Sequence, residues 1–263
     1  MNSATPQIEA LAEEARDLDQ LLSQLDASDW DRVTAFKNWS VWDVVAHLHL
    51  SDHMGLTTLK GPEAFQALMT DMAQASGGMA AYARDWLGPL TGDVLHERWR
   101  TALNELIDGL RRADPEVRLT WPGPGMKPRM FATARQMETW AHAWEIYDLL
   151  GVPRTHTDRI HNIATIGVRT YGWTFVNRKL PVPEPAPHVR LTAPSGDEWR
   201  WNDPQDDNRI SGDAVAFCQV VTQVRNIADT DLEVEGEAAA AWMAIAQCFA
   251  GPPADPPAPG TRT

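Results

Sequence analysis

The stretch from Thr133 to Gly151, TARQMETWAHAWEIYDLLG, decides how the rest of the chain is read. Thr133 suits a helix N-cap, and Gln136 three residues on completes a capping box. Gly151 supplies a stop that tolerates left-handed backbone, and Pro153 follows where a helix cannot continue. Inside this helix Glu138 and His142 stand four residues apart, so their side chains leave one face, one turn apart. Met137, Trp140, Ala141 and Trp144 surround them, which is not the setting of a solvated face. A carboxylate and an imidazole on an apolar face are two thirds of a three-ligand metal site; the third ligand must come from another helix. The plainer alternative is that Glu138 and His142 pair with each other or with Arg135, since E-x-x-x-H also arises by chance.

Upstream, Ser40 can cap a helix with Asp43 at its third position, and SVWDVVAHLHLSDHMGLTTL runs helical to about Leu59. His47 lies three residues from Val44 and beside Leu48, on or next to the apolar face. His49 and His53 are also one turn apart and with Asp52 form a rival set. The pattern favours His47 without removing the rival. Two His and one Glu on two helices would leave coordination positions open, as in a catalytic metal site; a structural zinc is closed by four protein ligands.

Further out, Thr5 and Pro6 open a helix carrying Ile8, Leu11, Ala15, Leu18, Leu22 and Leu25 at steps of three and four. Gly61-Pro62 starts another helical stretch, blurred at its end by Gly77-Gly78. Thr91 to Arg112 reads as a helix with Val94, Leu103, Leu106 and Leu110 inward. Asp114 to Met130, with Pro115, WPGPG and Pro128, reads as a loop, either a pocket wall or a crossover connection. Thr157 to Arg178 is helical again. PVPEPAP, residues 181–187, reads as a stiff linker, separating a helical bundle (1–180) from a small α+β domain (188–250). In the latter VRLTA, a PSG turn and EWRW form a hairpin, Ser211 caps a helix to about Val224, LEVEG is a short strand, and Glu237 to Phe249 a last helix. The Pro-rich tail, 251–263, is expected to be disordered.

The bulk properties exclude some partners. Net charge is -13 and the pI is near 5.0, which argues against nucleic acid and against an anionic membrane. No apolar run is long enough to span a bilayer, and the acidic N-terminus lacks a signal-peptide core, so a cytoplasmic protein is expected. Cys218 and Cys248 read as buried free thiols. The twelve Trp are core fillers or the wall of a cavity. A Gly-rich phosphate loop, H-E-x-x-H, C-x-x-C and a nucleophile elbow are all missing.

SVWDVVAHLH followed later by R-Q-M-E-T-W-A-H resembles the metal-binding pattern of the DinB-like superfamily, and within it the mycothiol-dependent maleylpyruvate isomerase group. The resemblance implies an antiparallel four-helix bundle. It also implies a divalent metal, usually zinc with Ni2+ or another ion admissible, on His47, Glu138 and His142. It thereby decides between His47 and the His49–His53 set. VRLTAPSGDEWRW, ISGDAVAFCQVVTQVR and LEVEG resemble the sterol-carrier-like α+β domain that follows the bundle in that group. The fold expected is therefore mainly α, a bundle followed by a small α+β domain. The group's small domain supplies an Arg that helps hold an anionic substrate, and Arg225 is the nearest match. From pattern alone Arg225 is a cation at a helix C-terminus, favourable to the dipole by about 0.3–1 kcal/mol.

A zinc with three protein ligands lowers the pKa of water from about 15.7 to about 7 and deprotonates a bound thiol. The function expected is a metal-dependent transferase or isomerase. Its cosubstrate would be a low-molecular-weight thiol such as mycothiol, attacking a small electrophile. A hydrolase or hydratase in which the metal activates water is one alternative, and a non-catalytic metal- or ligand-binding module another. His49 is an acid/base candidate, with His53, Asp52 and Glu145 behind it, each also readable as a surface helix residue. A monomer or a homodimer is expected.

Overall fold

Ser40 begins the helix on which the first half of the fold is packed. Its hydroxyl accepts from the Asp43 N–H at 3.2 Å and the Asp43 carboxylate accepts from the Ser40 N–H at 3.0 Å, the reciprocal capping box read from the sequence. The computed structural model describes residues 5–262. The chain divides into two compact units between Val152 and Pro153.

The first unit holds α1 (Pro6–Leu22), α2 (Val41–Leu59), α3 (Pro62–Gln74), α4 (Gly78–Leu87), α5 (Gly92–Arg112) and α6 (Pro128–Leu150). The long helices α1, α2, α5 and α6 pack as a bundle, with α2 against α5 and α6, and α1 against α5 and α6. Leu11, Leu18, Val44, Leu48, Leu95, Leu103, Leu106 and Ile146 are among the residues that form one apolar core. α5 shows why the period matters. Leu95, Trp99, Leu103, Leu106 and Leu110 are buried, whereas Val94, expected inward, is 40% exposed because it lies one position off that stripe.

α6 differs from its sequence reading at one end and matches at the other. It starts at Pro128, five residues before Thr133, since proline fits the first turn where its missing N–H costs nothing. Thr133 is therefore inside the helix, its hydroxyl donating to Arg129 O at 3.1 Å rather than capping. Gly151 takes the left-handed cap at φ 65°. Residues 114–127 are a loop as expected, pinched by a Leu119–Met126 bridge and tied to α2 by Thr58 Oγ1 donating to Thr120 O at 2.7 Å. Its Trp121 meets Phe131 edge to face at 5.1 Å, which seats the loop on the start of α6.

The second unit contains α7 (His161–Arg169), α8 (Tyr171–Asn177), β1 (His188–Thr192), β2 (Glu198–Trp201), β3 (Arg209–Asp213), α9 (Ala214–Val221), β4 (Glu233–Glu235) and α10 (Glu237–Met243). The sheet order is β2-β1-β3-β4, with β1 antiparallel to β2, parallel to β3, and β3 antiparallel to β4. The expected hairpin and short last strand are both present. Four expectations are corrected here. The division falls before α7, not at 181–187, because α7 packs on α9: a Cβ on Gly167 would sit 2.8 Å from Val221 and 3.2 Å from Phe217. Ser211 is a strand residue paired with Arg190, and the helix it was expected to cap starts at Ala214, where Asp213 accepts from Ala216 N–H at 2.9 Å. The final helix stops at Met243. Beyond it Gln247 exchanges bonds with the Thr174 hydroxyl instead of extending the helix. The tail is pinned rather than disordered over the described residues: Ala254 O accepts from Gln223 Nε2 at 2.7 Å and Pro257 O from Asn226 Nδ2 at 2.8 Å. Both cysteines are buried and free. No helix is long and apolar enough to cross a membrane among the described residues.

Candidate metal centre

His47 leaves α2 toward α6 and meets Glu138 and His142, whose four-residue spacing puts both on one face of α6. Glu138 Oε2 lies 3.7 Å from His47 Nε2 and 3.6 Å from His142 Nε2. One donor atom from each of the three residues falls within 4.8 Å of the others. These contacts are too long for hydrogen bonds, so the three donors converge without satisfying one another. Besides the Glu138–His142 pairing, the spacing leaves room for a cation shared by the three donors. Bonds of about 2.0–2.2 Å to a tetrahedral zinc set its donors roughly 3.3–3.6 Å apart, and the donor set, two imidazoles and a carboxylate, suits that ion. The side chains remain 16%, 25% and 11% exposed, so the cluster is reachable from one side.

The electrostatics favour the forms that bind metal. Burial pushes the Glu138 carboxyl upward, but the imidazoles of His47 and His142 and the Arg135 cation outweigh it and bring it to about 2. Burial, with His47 beside it, brings the His142 imidazole down to about 3. At neutral pH Glu138 is therefore ionised and His142 carries a free lone pair. The cluster is walled by Trp39, whose ring lies 5.3 Å from His47 and is stacked 6.2 Å from His142, and by Phe36, edge-on to His142 at 5.2 Å. One turn before Glu138, Arg135 is buried and paired with Asp52 of α2 at 2.9 Å.

Residues 11–147 match the family model for the mycothiol maleylpyruvate isomerase N-terminal domain. The chain belongs to this family. The matched segment includes all three clustered residues. Two proteins described as uncharacterised, from two strains of Mycobacterium tuberculosis, are each 37% identical over 248 residues, 94% of this chain and 96% of theirs. Crystal structures of the mycothiol-dependent maleylpyruvate isomerase, and of a histidine-to-alanine mutant of it, superpose with TM-scores of 0.54 and 0.55. Each covers 83% of this chain and 88% of the solved one at 15% identity, a likeness of fold alone.

The other candidates on α2 are engaged elsewhere. His49, two residues past His47, is turned about 200° around α2. It stacks on Trp86 of α4 at 5.2 Å, and burial lowers it to about 4, so it does not join the cluster as an acid/base. His53 packs on the same Trp86 at 4.7 Å. The rival His49–His53–Asp52 set is not assembled either, since Asp52 is engaged by Arg135. Glu145 is buried on α6. Arg225 belongs to the second unit, buried just past α9, with its guanidinium donating to Val224 O at 3.1 Å. Phe36, Lys37 and Trp39 stand outside every helix and motif read from the sequence; the one available signal was Asn38, a residue that tolerates positive φ.

Proposed function

We propose that this chain is a divalent-metal-dependent enzyme that transfers or isomerises through a low-molecular-weight thiol of the mycothiol type, acting on a small electrophilic substrate. The observation that carries this reading is the convergence of His47, Glu138 and His142 on a face still open to solvent. The family's name supports the thiol. A divalent cation held by those three residues would supply the charge that keeps a bound thiol ionised at neutral pH.

The protein's own residues have separate tasks in this reading. Glu138 brings the only negative charge among the three ligands, and His142 is kept neutral so that its ring nitrogen binds metal and not a proton. α2 and α6 fix the donors on two rigid helices, and the Asp52–Arg135 pair holds those helices in register. Trp39 and Phe36 cover the imidazoles and limit water around them.

The test is turnover of maleylpyruvate by zinc-loaded protein with and without mycothiol. Activity that needs both metal and thiol is expected. Turnover of an electrophile with metal but no thiol would replace this reading with activation of water.

A further inference from the structure

The turn from Phe36 to Trp39 stands over the cluster and carries a cation that the protein does not neutralise. Trp39 N–H donates to Phe36 O at 2.8 Å while Lys37 and Asn38 both take positive φ, 51° and 56°. That is the geometry of a type I′ turn, where Gly and Asn are preferred and lysine is a poor choice. The turn is nonetheless firmly held. Thr34 offers its N–H and its hydroxyl to Trp39 O at 2.7 and 2.9 Å, and Val33 bridges Ser40. Phe36 and Trp39 then meet edge to face at 5.1 Å, the same two rings that wall His142. Lys37 Nζ lies 4.8 Å from the Phe36 ring centre and 5.7 Å from that of Trp39. Among the described residues no carboxylate forms an ion pair with Lys37.

The charge count around the cluster points to the partner. The chain as a whole carries -13, yet here Lys37 would add to a bound divalent cation against the cluster's one carboxylate, Glu138, because Asp52 is taken up by Arg135. A positive island in an acidic protein concentrates small anions at one place. We propose that Lys37 binds a carboxylate of the small-molecule ligand at the mouth of the His47–Glu138–His142 cluster, so that the site selects acids over neutral molecules of the same size. The inference rests on the metal-site reading above. The competing role for Lys37 is a cation resting on two aromatic rings, with no part in binding.

Calorimetric titration with malonate and with its neutral analogue malonamide separates the two. Zinc-loaded wild type, Lys37→Gln and Lys37→Arg are compared, each also titrated free of metal. Losing a charged contact to a carboxylate corresponds to about tenfold or more in affinity. Malonate is therefore expected to bind Lys37→Gln at least about tenfold more weakly and Lys37→Arg nearly as well as wild type, with malonamide unchanged in all three. Lys37→Gln holding malonate as wild type does, or wild type failing to prefer malonate over malonamide, overturns the proposal. If wild type takes up no zinc, the metal reading fails and the proposal falls with it, whereas zinc-loaded Lys37→Gln that binds malonate as wild type does overturns the proposal alone.

Discussion

Arg135 of α6 donates its Nε–H to the Asp52 carboxylate of α2 at 2.9 Å, with the two side chains 3% and 0% exposed. The pair joins the two helices that carry His47, Glu138 and His142. Burial raises the Asp52 pKa and the Arg135 cation opposes that rise, so Asp52 depends on Arg135 to remain charged. Removing one partner of such a pair costs about 3–5 kcal/mol, because the other charge is left buried, while replacing both with apolar residues is often neutral. Asp52→Ala should therefore lose about that much in urea unfolding, and Asp52→Leu with Arg135→Met should recover most of it. A loss in Asp52→Ala below about 1 kcal/mol would mean that the pair is not holding α2 to α6.

Acid should destabilise the metal-free protein through the same cluster. His142 lies near 3 in the fold against an ordinary 6.5, and Glu138 near 2 against 4.5. Unfolding returns both to their ordinary values, so between the two values the unfolded chain binds more protons and stability falls as pH falls. The contribution of His142 is complete above pH 6.5 and is lost on the way to about 3; that of Glu138 is complete above 4.5 and is lost on the way to about 2. His49 and His156, each lowered to about 4 by burial, add to the same slope. His142→Ala should remove about one proton's share, roughly 1.4 kcal/mol per pH unit, between pH 6 and 4. Chemical unfolding of both proteins across that range checks it, and identical slopes would contradict it.

The C-terminal tail should be structural. Gln223 Nε2 and Asn226 Nδ2 donate to Ala254 O and Pro257 O, Ala254 N–H donates to Gln247 Oε1 at 2.9 Å, and Gly260 N–H donates to Asp229 at 2.8 Å. At about 0.5–1.5 kcal/mol each, truncation after Ala250 should cost the second unit roughly 2–6 kcal/mol. Thermal unfolding of the truncated chain reads this directly, and an unchanged midpoint would show the tail to be dispensable.

Legibility followed periodicity and reach. The helices α1, α2 and α5 announced themselves by spacing and caps, and the Glu138–His142 spacing alone placed two clustered residues on one face. The choice of His47 over His49 needed family resemblance. One residue step along α2 turns a side chain by about 100°, and the apolar pattern of that helix is too continuous to say which imidazole faces α6. Ser211 misled because Ser before an apolar run reads as a cap, whereas the parallel ladder of β3 on β1 is a long-range fact with no local mark. The tail misled for a related reason: its order comes from side chains of Gln223 and Asn226, far away in sequence.

Metal content settles the central claim most directly. Protein purified without chelator is analysed beside His142→Ala, with circular dichroism to show that the variant is folded. About one equivalent of a divalent metal in the wild type, largely lost from the variant, is the predicted result. A wild type that holds no divalent metal even after incubation with zinc, or a folded His142→Ala that keeps as much as wild type, would contradict the account.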